Sequence, residues 1–431
     1  MVYHIAMTSK PAPAEPTDSF ANVMRGPVAL VGAGVVGRAI LADCVAHDWP
    51  VMLADTDPAS LRLAAESVLT PDPRLTVRPI GCPLPGLNAI AIHGPGPVVA
   101  DGWERPAVVI ESIPEQLELK RAFFLAASAA WGPETVLATN TSNLKVAEIF
   151  ASLGNPTNAL GMHFFMPVTE RPLIEMIPCE STSPETLKRC REFAASLGKE
   201  VLVTKDRPGF VVNRLLAPYL NQAMLLLGRG ASADELDRAA REFGMPMSPL
   251  ELVDRIGMRT AFDTGRVFWR AFPKRIDPAP ILPGMLKAKR LGAAAGGGFF
   301  HGLSAAETAL VTDRLHPDAQ EVIRRYTRET RTWDPEQLRQ SLAIPMWIEA
   351  AALLSDRVVD SLEHIELAMR GGLGFRGGFF RFFDSLGSQV LEQAIRAGEG
   401  EPALMAPNGL LDLLAAGRSP SETVRSYADL G

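Results

Sequence analysis

The chain has 431 residues, a net charge of −6, 47% hydrophobic and 21% charged residues. That length supports two or three domains with their own cores, and the balance of apolar and charged residues is ordinary for a soluble globular protein. The acidic balance excludes a general nucleic-acid binder, and no run approaches the roughly 18 apolar residues that a membrane helix needs.

Residues 1–25 contain Lys10-Pro11-Ala12-Pro13-Ala14-Glu15-Pro16 and have little to bury, so they read as a flexible extension. They lack the basic start and long apolar stretch of a secretory signal. The cysteines (Cys44, Cys82, Cys179, Cys190) are far apart, without a CxxC pair or a nearby histidine cluster. They suit reduced thiols in a cytoplasm better than disulfides, and no metal site is expected.

From Pro27 to about Asp206, short apolar runs alternate with helical stretches. Strands are expected at 28–31, 51–54, 107–110, 136–138, 160–165, 173–177 and 201–204. Glycine, carboxylate or Asn/Ser/Thr clusters follow the first four, the pattern of a doubly wound parallel α/β sheet. Gly32-Ala33-Gly34-Val35-Val36-Gly37 directly follows the first strand and opens a helix. Gly32 permits a tight turn, Gly34 lets backbone approach a pyrophosphate, and Gly37 lets helix and strand pack closely. The helix N-terminus offers its free N–H groups to phosphate. Asp55 ends the second strand, 23 residues after Gly32, where a carboxylate accepts from ribose hydroxyls and repels a 2′-phosphate. The dinucleotide expected here is therefore NAD rather than NADP.

After Pro208 the sequence turns helical, with a weak repeat. Pro218, Glu235-Leu236-Asp237, Gly244 and Glu251 to Gly257 match Pro345, His364-Ile365-Glu366, Gly374 and Arg381 to Gly387, at offsets of 127 rising to 130. This reads as a duplicated all-α region whose halves pack together, or as chance likeness between amphipathic helices. The expected divisions are 1–25, 26–206, 207–305 and 306–431. The second copy has Gln340 opposite Asn213 and no histidine–glutamate pair, so it reads as structural.

Polar clusters recur at strand ends: Glu111-Ser112-Ile113-Pro114-Glu115 with Lys120, Thr139 to Asn143, Gly161 to Pro167, and Leu173-Ile174-Glu175. Pro208-Gly209-Phe210-Val211-Val212-Asn213-Arg214 opens the helical region. In this order they resemble the 3-hydroxyacyl-CoA dehydrogenase family, with its E-x-x-x-E-x-x-x-x-K, N-T-S-S-L, G-x-H-F-F-N-P-V and P-G-F-x-x-N-R signatures. The region from Gly374 to Gly387 resembles the second helical repeat in the dehydrogenase part of bacterial multifunctional fatty-acid oxidation subunits, and the chain has no room for their hydratase/isomerase half. The resemblance implies NAD-linked oxidation of a 3-hydroxyacyl thioester in fatty-acid β-oxidation. It assigns Glu115, Lys120 and Asn140 to the nicotinamide-ribose side, and it leaves monomer and homodimer open.

The chemistry also follows from residue types. Alcohol oxidation needs a base to take the hydroxyl proton, and His163 is the candidate because imidazole ordinarily titrates near neutral pH. Glu175, twelve residues on, would fix its tautomer. Ser142 and Asn213 can donate hydrogen bonds to the substrate oxygens.

Three features depart from the family pattern. Met166 stands where H-F-F-N-P has asparagine, no lysine occurs between Lys10 and Lys120, and Ser248 replaces a glycine. Arg62, Arg74 and Arg78 are the nearby cationic substitutes. These changes admit a carrier-protein thioester as well as a coenzyme A ester. An oxidoreductase acting on a free hydroxy acid or sugar acid and a non-catalytic NAD-binding scaffold also stay open.

Overall fold

The computed structural model describes residues 26–94, 105–154, 156–300 and 315–430, so the expected N-terminal extension lies outside the described residues. Among the described residues nine strands form one sheet: β1 Val28–Val31, β2 Val51–Asp55, β3 Thr76–Ile80, β4 Asn88–His93, β5 Val108–Glu111, β6 Val136–Thr139, β7 Ala159–Phe164, β8 Leu173–Pro178 and β9 Glu200–Val203. Their order is β3-β4-β2-β1-β5-β6-β7-β8-β9. From β2 to β7 the neighbours are parallel, while β4 against β2, β3 against β4 and β8 against β7 are antiparallel.

Five helices cover the sheet: α1 Val35–Ala46, α2 Pro58–Leu69, α3 Leu117–Trp131, α4 Val146–Phe150 and α5 Pro184–Ser196. Val28, Leu30, Val108 and Ile110 pack with residues of α1, α2 and α5. Ala29, Val31 and Val109 point the other way, into a cluster with Phe124 and Trp131 of α3 and Ile149 of α4. Both faces being covered explains why these strands read as continuous apolar runs instead of alternating ones. The β3–β4 hairpin was not expected from the sequence. It takes the outer place beside β2, and Thr76-Val-Arg-Pro-Ile carries a proline, which belongs at a sheet edge.

The helical region comprises α6 Val212–Leu227, α7 Ala233–Phe243, α8 Pro249–Ile256, α9 Met258–Ala271, α10 Ile281–Lys287, α11 Pro317–Tyr326, α12 Pro335–Ser355, α13 Leu362–Leu367, α14 Phe379–Leu386, α15 Ser388–Ala397, α16 Asn408–Ala415 and α17 Pro420–Ala428. A π-helical turn, Ala368–Leu373, continues α13. Pro218 lies inside α6 and Pro345 inside α12, and these two helices pack together in one hydrophobic core spanning residues from both copies. Neither half buries its apolar face alone.

Cys44 and Cys190 are buried in the sheet's helix-covered core, while Cys82 and Cys179 are half-buried; all four are free thiols. Burial pushes Cys190 up to about 12 and Cys179 up to about 11, so neither forms thiolate near neutral pH.

Asp254 in α8 accepts the backbone N–H groups of Phe299 at 2.8 Å and Phe300 at 2.9 Å, tying the segment after α10 to α8. Desolvation pushes its carboxyl from the ordinary 3.8 up to about 6, against those two hydrogen bonds, which lower it. The folded-state value lies above the unfolded one, so the protonated form favours the fold. That contribution is complete below about pH 4 and is lost as pH rises to about 6. Wild type should lose on the order of 3 kcal/mol across this window relative to Asp254→Asn. Urea unfolding of both proteins at several pH values checks this; parallel curves would sink it.

Candidate active site

The glycine loop joins β1 to α1. Gly32 has φ +106°, and a Cβ there would meet the Ser112 carbonyl oxygen at 2.5 Å. A Cβ on Gly37 would lie 1.9 Å from the Gly32 carbonyl oxygen, whereas one on Gly34 would meet nothing within 4 Å. The first and third glycines are thus required by the protein's own packing, and the second leaves open space in front of a helix end. No side chain caps the α1 N-terminus and no acidic residue occupies its first turn, so its N–H groups suit an anion. Asp55 accepts from Ala33 N at 2.7 Å through Oδ2 and from Asp57 N at 2.8 Å through Oδ1. Oδ1 also faces Thr56 Oγ1 at 3.5 Å, so Oδ2 is the oxygen that keeps a lone pair for a ribose hydroxyl. These residues fit a dinucleotide.

The strand ends of β5 and β6 carry the next group. Lys120 of α3 is 1% exposed, with its Nζ 2.5 Å from Glu111 Oε1, 3.3 Å from the Ile113 carbonyl and 3.3 Å from Glu115 Oε2. Three acceptors thus surround its three donors. Glu111 also accepts from Thr139 Oγ1 at 2.7 Å, and burial pushes its carboxyl up while Lys120 opposes the shift. Glu115 Oε1 accepts from Thr141 Oγ1 at 2.5 Å, Ser142 N at 3.1 Å and Asn143 N at 2.9 Å. The Lys120–Glu115 pair therefore clamps the loop that presents Ser142. Asn140 braces the same loop, accepting from Phe164 N at 2.9 Å, with Nδ2 3.4 Å from Ser112 Oγ.

His163 and Glu175 are directly opposite each other on antiparallel β7 and β8. Such cross-strand neighbours share one face of the sheet, which turns the twelve-residue sequence spacing into contact. His163 Nδ1 lies 2.8 Å from Glu175 Oε2, and Nε2 lies 3.1 Å from Ser142 Oγ. Glu175 therefore accepts a hydrogen bond from Nδ1–H, leaving the Nε2 lone pair facing the serine. Phe165 and Phe210 pack against the imidazole, with ring centroids 4.6 and 5.7 Å away. Glu175 is fully buried, and its Oε1 accepts Val211 N at 3.0 Å and Val212 N at 2.9 Å. One carboxylate thus orients the imidazole and caps the start of α6. Asn213 Nδ2 then reaches the Ser142 carbonyl at 3.2 Å.

Glu111, the clamp from Glu115 to the Ser142 loop, and the second role of Glu175 were not read from the sequence. The first carboxylate of E-x-x-x-E was a signal for Glu111; the backbone donors carry none. Met166 is 42% exposed on the turn after β7. Ser248 N-caps α8, its Oγ accepting Leu250 N at 3.2 Å, a task that glycine's missing side chain cannot perform. Among the cationic substitutes, Arg74 is committed to a bidentate pair with Asp72. A cavity of about 130 Å³ lies away from this crevice, between the helical copies, bordered by Pro218, Arg275, Pro345 and Glu349.

The model of the 3-hydroxyacyl-CoA dehydrogenase NAD-binding domain matches residues 99–207, and that of the C-terminal domain matches 209–302 and 339–429. The first match begins after the glycine loop, so the assignment of Gly32, Gly34, Gly37 and Asp55 rests on their geometry. Among solved structures, the chain is similar to 3-hydroxybutyryl-CoA dehydrogenase of Escherichia coli, at 23% identity over 91% of this chain and 98% of that one, with TM-score 0.68. The (S)-3-hydroxybutyryl-CoA dehydrogenase of Ralstonia eutropha matches at 27% identity over 64% of this chain and 99% of its own, TM-score 0.53. The dehydrogenase part of a multifunctional enzyme of C. elegans matches at 19% identity, 91% and 89% coverage and TM-score 0.58.

Proposed function

The chain belongs to the 3-hydroxyacyl-CoA dehydrogenase family of NAD-dependent oxidoreductases, and within it we propose that this protein oxidises an (S)-3-hydroxyacyl thioester with His163 as base. The observation that carries this reading is the position of His163 between Glu175 and Ser142.

The 3-hydroxyl docks beside Ser142 Oγ and His163 Nε2. His163 takes the hydroxyl proton, and the C3–O bond becomes the carbonyl as C3 releases hydride. Bound NAD supplies the hydride acceptor. Glu175 stabilises the imidazolium that forms, since its carboxylate lies 2.8 Å from Nδ1 in a buried setting. Ser142 holds the oxygen as it changes from alcohol to ketone, and Asn213 fixes the Ser142 backbone. The buried Lys120 and the exposed Glu115 act through the loop they clamp, and would stand at the cofactor's nicotinamide end. Asn140 supports the same loop. Gly32, Gly34, Gly37 and Asp55 hold the adenosine and pyrophosphate end.

In this reading residues 26–206 bind the dinucleotide, 207–305 complete the substrate site and 306–431 form the second copy, in a monomer or a homodimer. No helix among the described residues is long and apolar enough to cross a membrane. The test is NADH formation from (S)-3-hydroxybutyryl-CoA, longer esters and the matching carrier-protein thioester, with NADP as control. Turnover of the CoA ester with NAD is expected. Silence on every CoA ester and on the carrier-protein thioester, with NAD still bound, would overturn it, and turnover of the carrier-protein thioester alone would reassign the carrier.

A further inference from the structure

We propose that the second helical copy is a working part of the active site, with Glu349 as a positioning residue for the catalytic dyad. The proposal rests on the assignment of His163 and Glu175 as that dyad.

The start of α6 is where the site's parts converge. Val211 and Val212 donate to Glu175, and Asn213 donates to the Ser142 carbonyl. The next residue, Arg214, is 1% exposed and faces the second copy. Its Nε lies 2.5 Å from Glu349 Oε1, and its Nη2 lies 3.0 Å from Asp356 Oδ2. Glu349 is 2% exposed, on α12. A guanidinium held by two carboxylates in so buried a place has little freedom, and the backbone of Asn213 moves with it.

The second copy grips the same region from another side. In the π-helical turn, a Cβ on Gly371 would lie 2.8 Å from Leu173 Cβ, and one on Gly372 would lie 2.7 Å from Val212 Cγ2. Leu173 precedes Glu175 by two residues on β8, and Val212 is one of its donors. The glycines let the turn press directly on both residues beside the carboxylate.

The pairing is one-sided. Arg214 stands four residues before Pro218, and the matching position before Pro345 is Ser341. Glu349 stands four residues after Pro345, and its counterpart after Pro218 is Gln222, which bonds Glu401 instead. Identical halves would make the same contact in both directions. Here the copy with the reacting residues has the arginine, and the other supplies the acid.

The experiment compares wild type, Glu349→Gln and Asp356→Asn with NAD and (S)-3-hydroxybutyryl-CoA, counting only folded enzyme. Small misplacement of reacting groups costs up to about 100-fold in rate, so kcat should fall about 10-fold in Glu349→Gln and about threefold in Asp356→Asn. KM for NAD should stay within about twofold, because its loop lies strands away. In an Asn213→Ala background, Glu349→Gln should add little. The His163 Nδ1 proton, followed by NMR, should shift in Glu349→Gln, a readout that needs no turnover. If wild type oxidises no 3-hydroxyacyl thioester, the functional reading fails while the NMR shift still tests the positioning. Asp356 is half-exposed, so its variant should fold even where Glu349→Gln does not. Unchanged kcat and an unmoved His163 signal in whichever variants fold would overturn the proposal.

Discussion

His163→Ala should lower kcat by at least about 10²- to 10⁴-fold, the usual worth of a general base, while NAD affinity changes by less than about twofold. The separation follows from the sheet order. His163 is on β7, whereas the glycine loop follows β1, with β5 and β6 between them. The variant should also fold. Glu175 loses its Oε2 partner but keeps Val211 and Val212 on Oε1, so α6 stays capped. The cost is that of one buried carboxylate oxygen left unpaired, at least about 1–3 kcal/mol. NADH production and cofactor titration by fluorescence measure the two effects separately. An equal loss of NAD binding would mean that the imidazole holds the cofactor and does not take the proton.

Gly37→Ala should reduce NAD affinity by about 10- to 100-fold and lower the melting temperature as well. Its Cβ would lie 1.9 Å from the Gly32 carbonyl oxygen, a backbone atom that cannot rotate away. Relief requires α1 to part from the loop, which is overpacking worth about 1–3 kcal/mol and removes the phosphate cradle with it. Gly34→Ala gives the contrast. Open space surrounds that position, so the free protein should keep its melting temperature, yet the methyl group would stand where the pyrophosphate approaches. Thermal unfolding with and without NAD, together with calorimetric titration, distinguishes the two. A Gly34→Ala protein binding NAD at wild-type affinity would remove that glycine from the cofactor site.

Much of the α/β fold was legible because its signals are local. A strand covered on both faces must be largely apolar, and residues 28–31 and 108–110 show this without any partner in view. The glycine loop is legible for the same reason, since Gly32 and Gly37 answer steric demands made within a few residues or by the adjoining strand, while Gly34 completes the short spacing. The β3–β4 hairpin escaped notice because edge strands are half-exposed and mixed in character, here with Pro79 and Arg78. Sequence motifs also placed His163, Glu175, Ser142 and Asn213 in one candidate site, and the structure brings the four together.

By itself the sequence determined which side chains could do acid–base chemistry and which backbone turn could face a phosphate, since both depend on residue type and short spacing. Tertiary structure alone decided how they are held. The opposition of His163 and Glu175 needed the antiparallel register of β7 and β8, a hydrogen-bonding pattern that no single residue encodes. Glu175 reaches Val211 and Val212 only because β8 meets the start of α6, and Arg214 meets Glu349 only because the two helical copies share a core. Such contacts join residues far apart in the chain and involve backbone donors common to almost every residue, so they leave no mark in the sequence until the chain has folded.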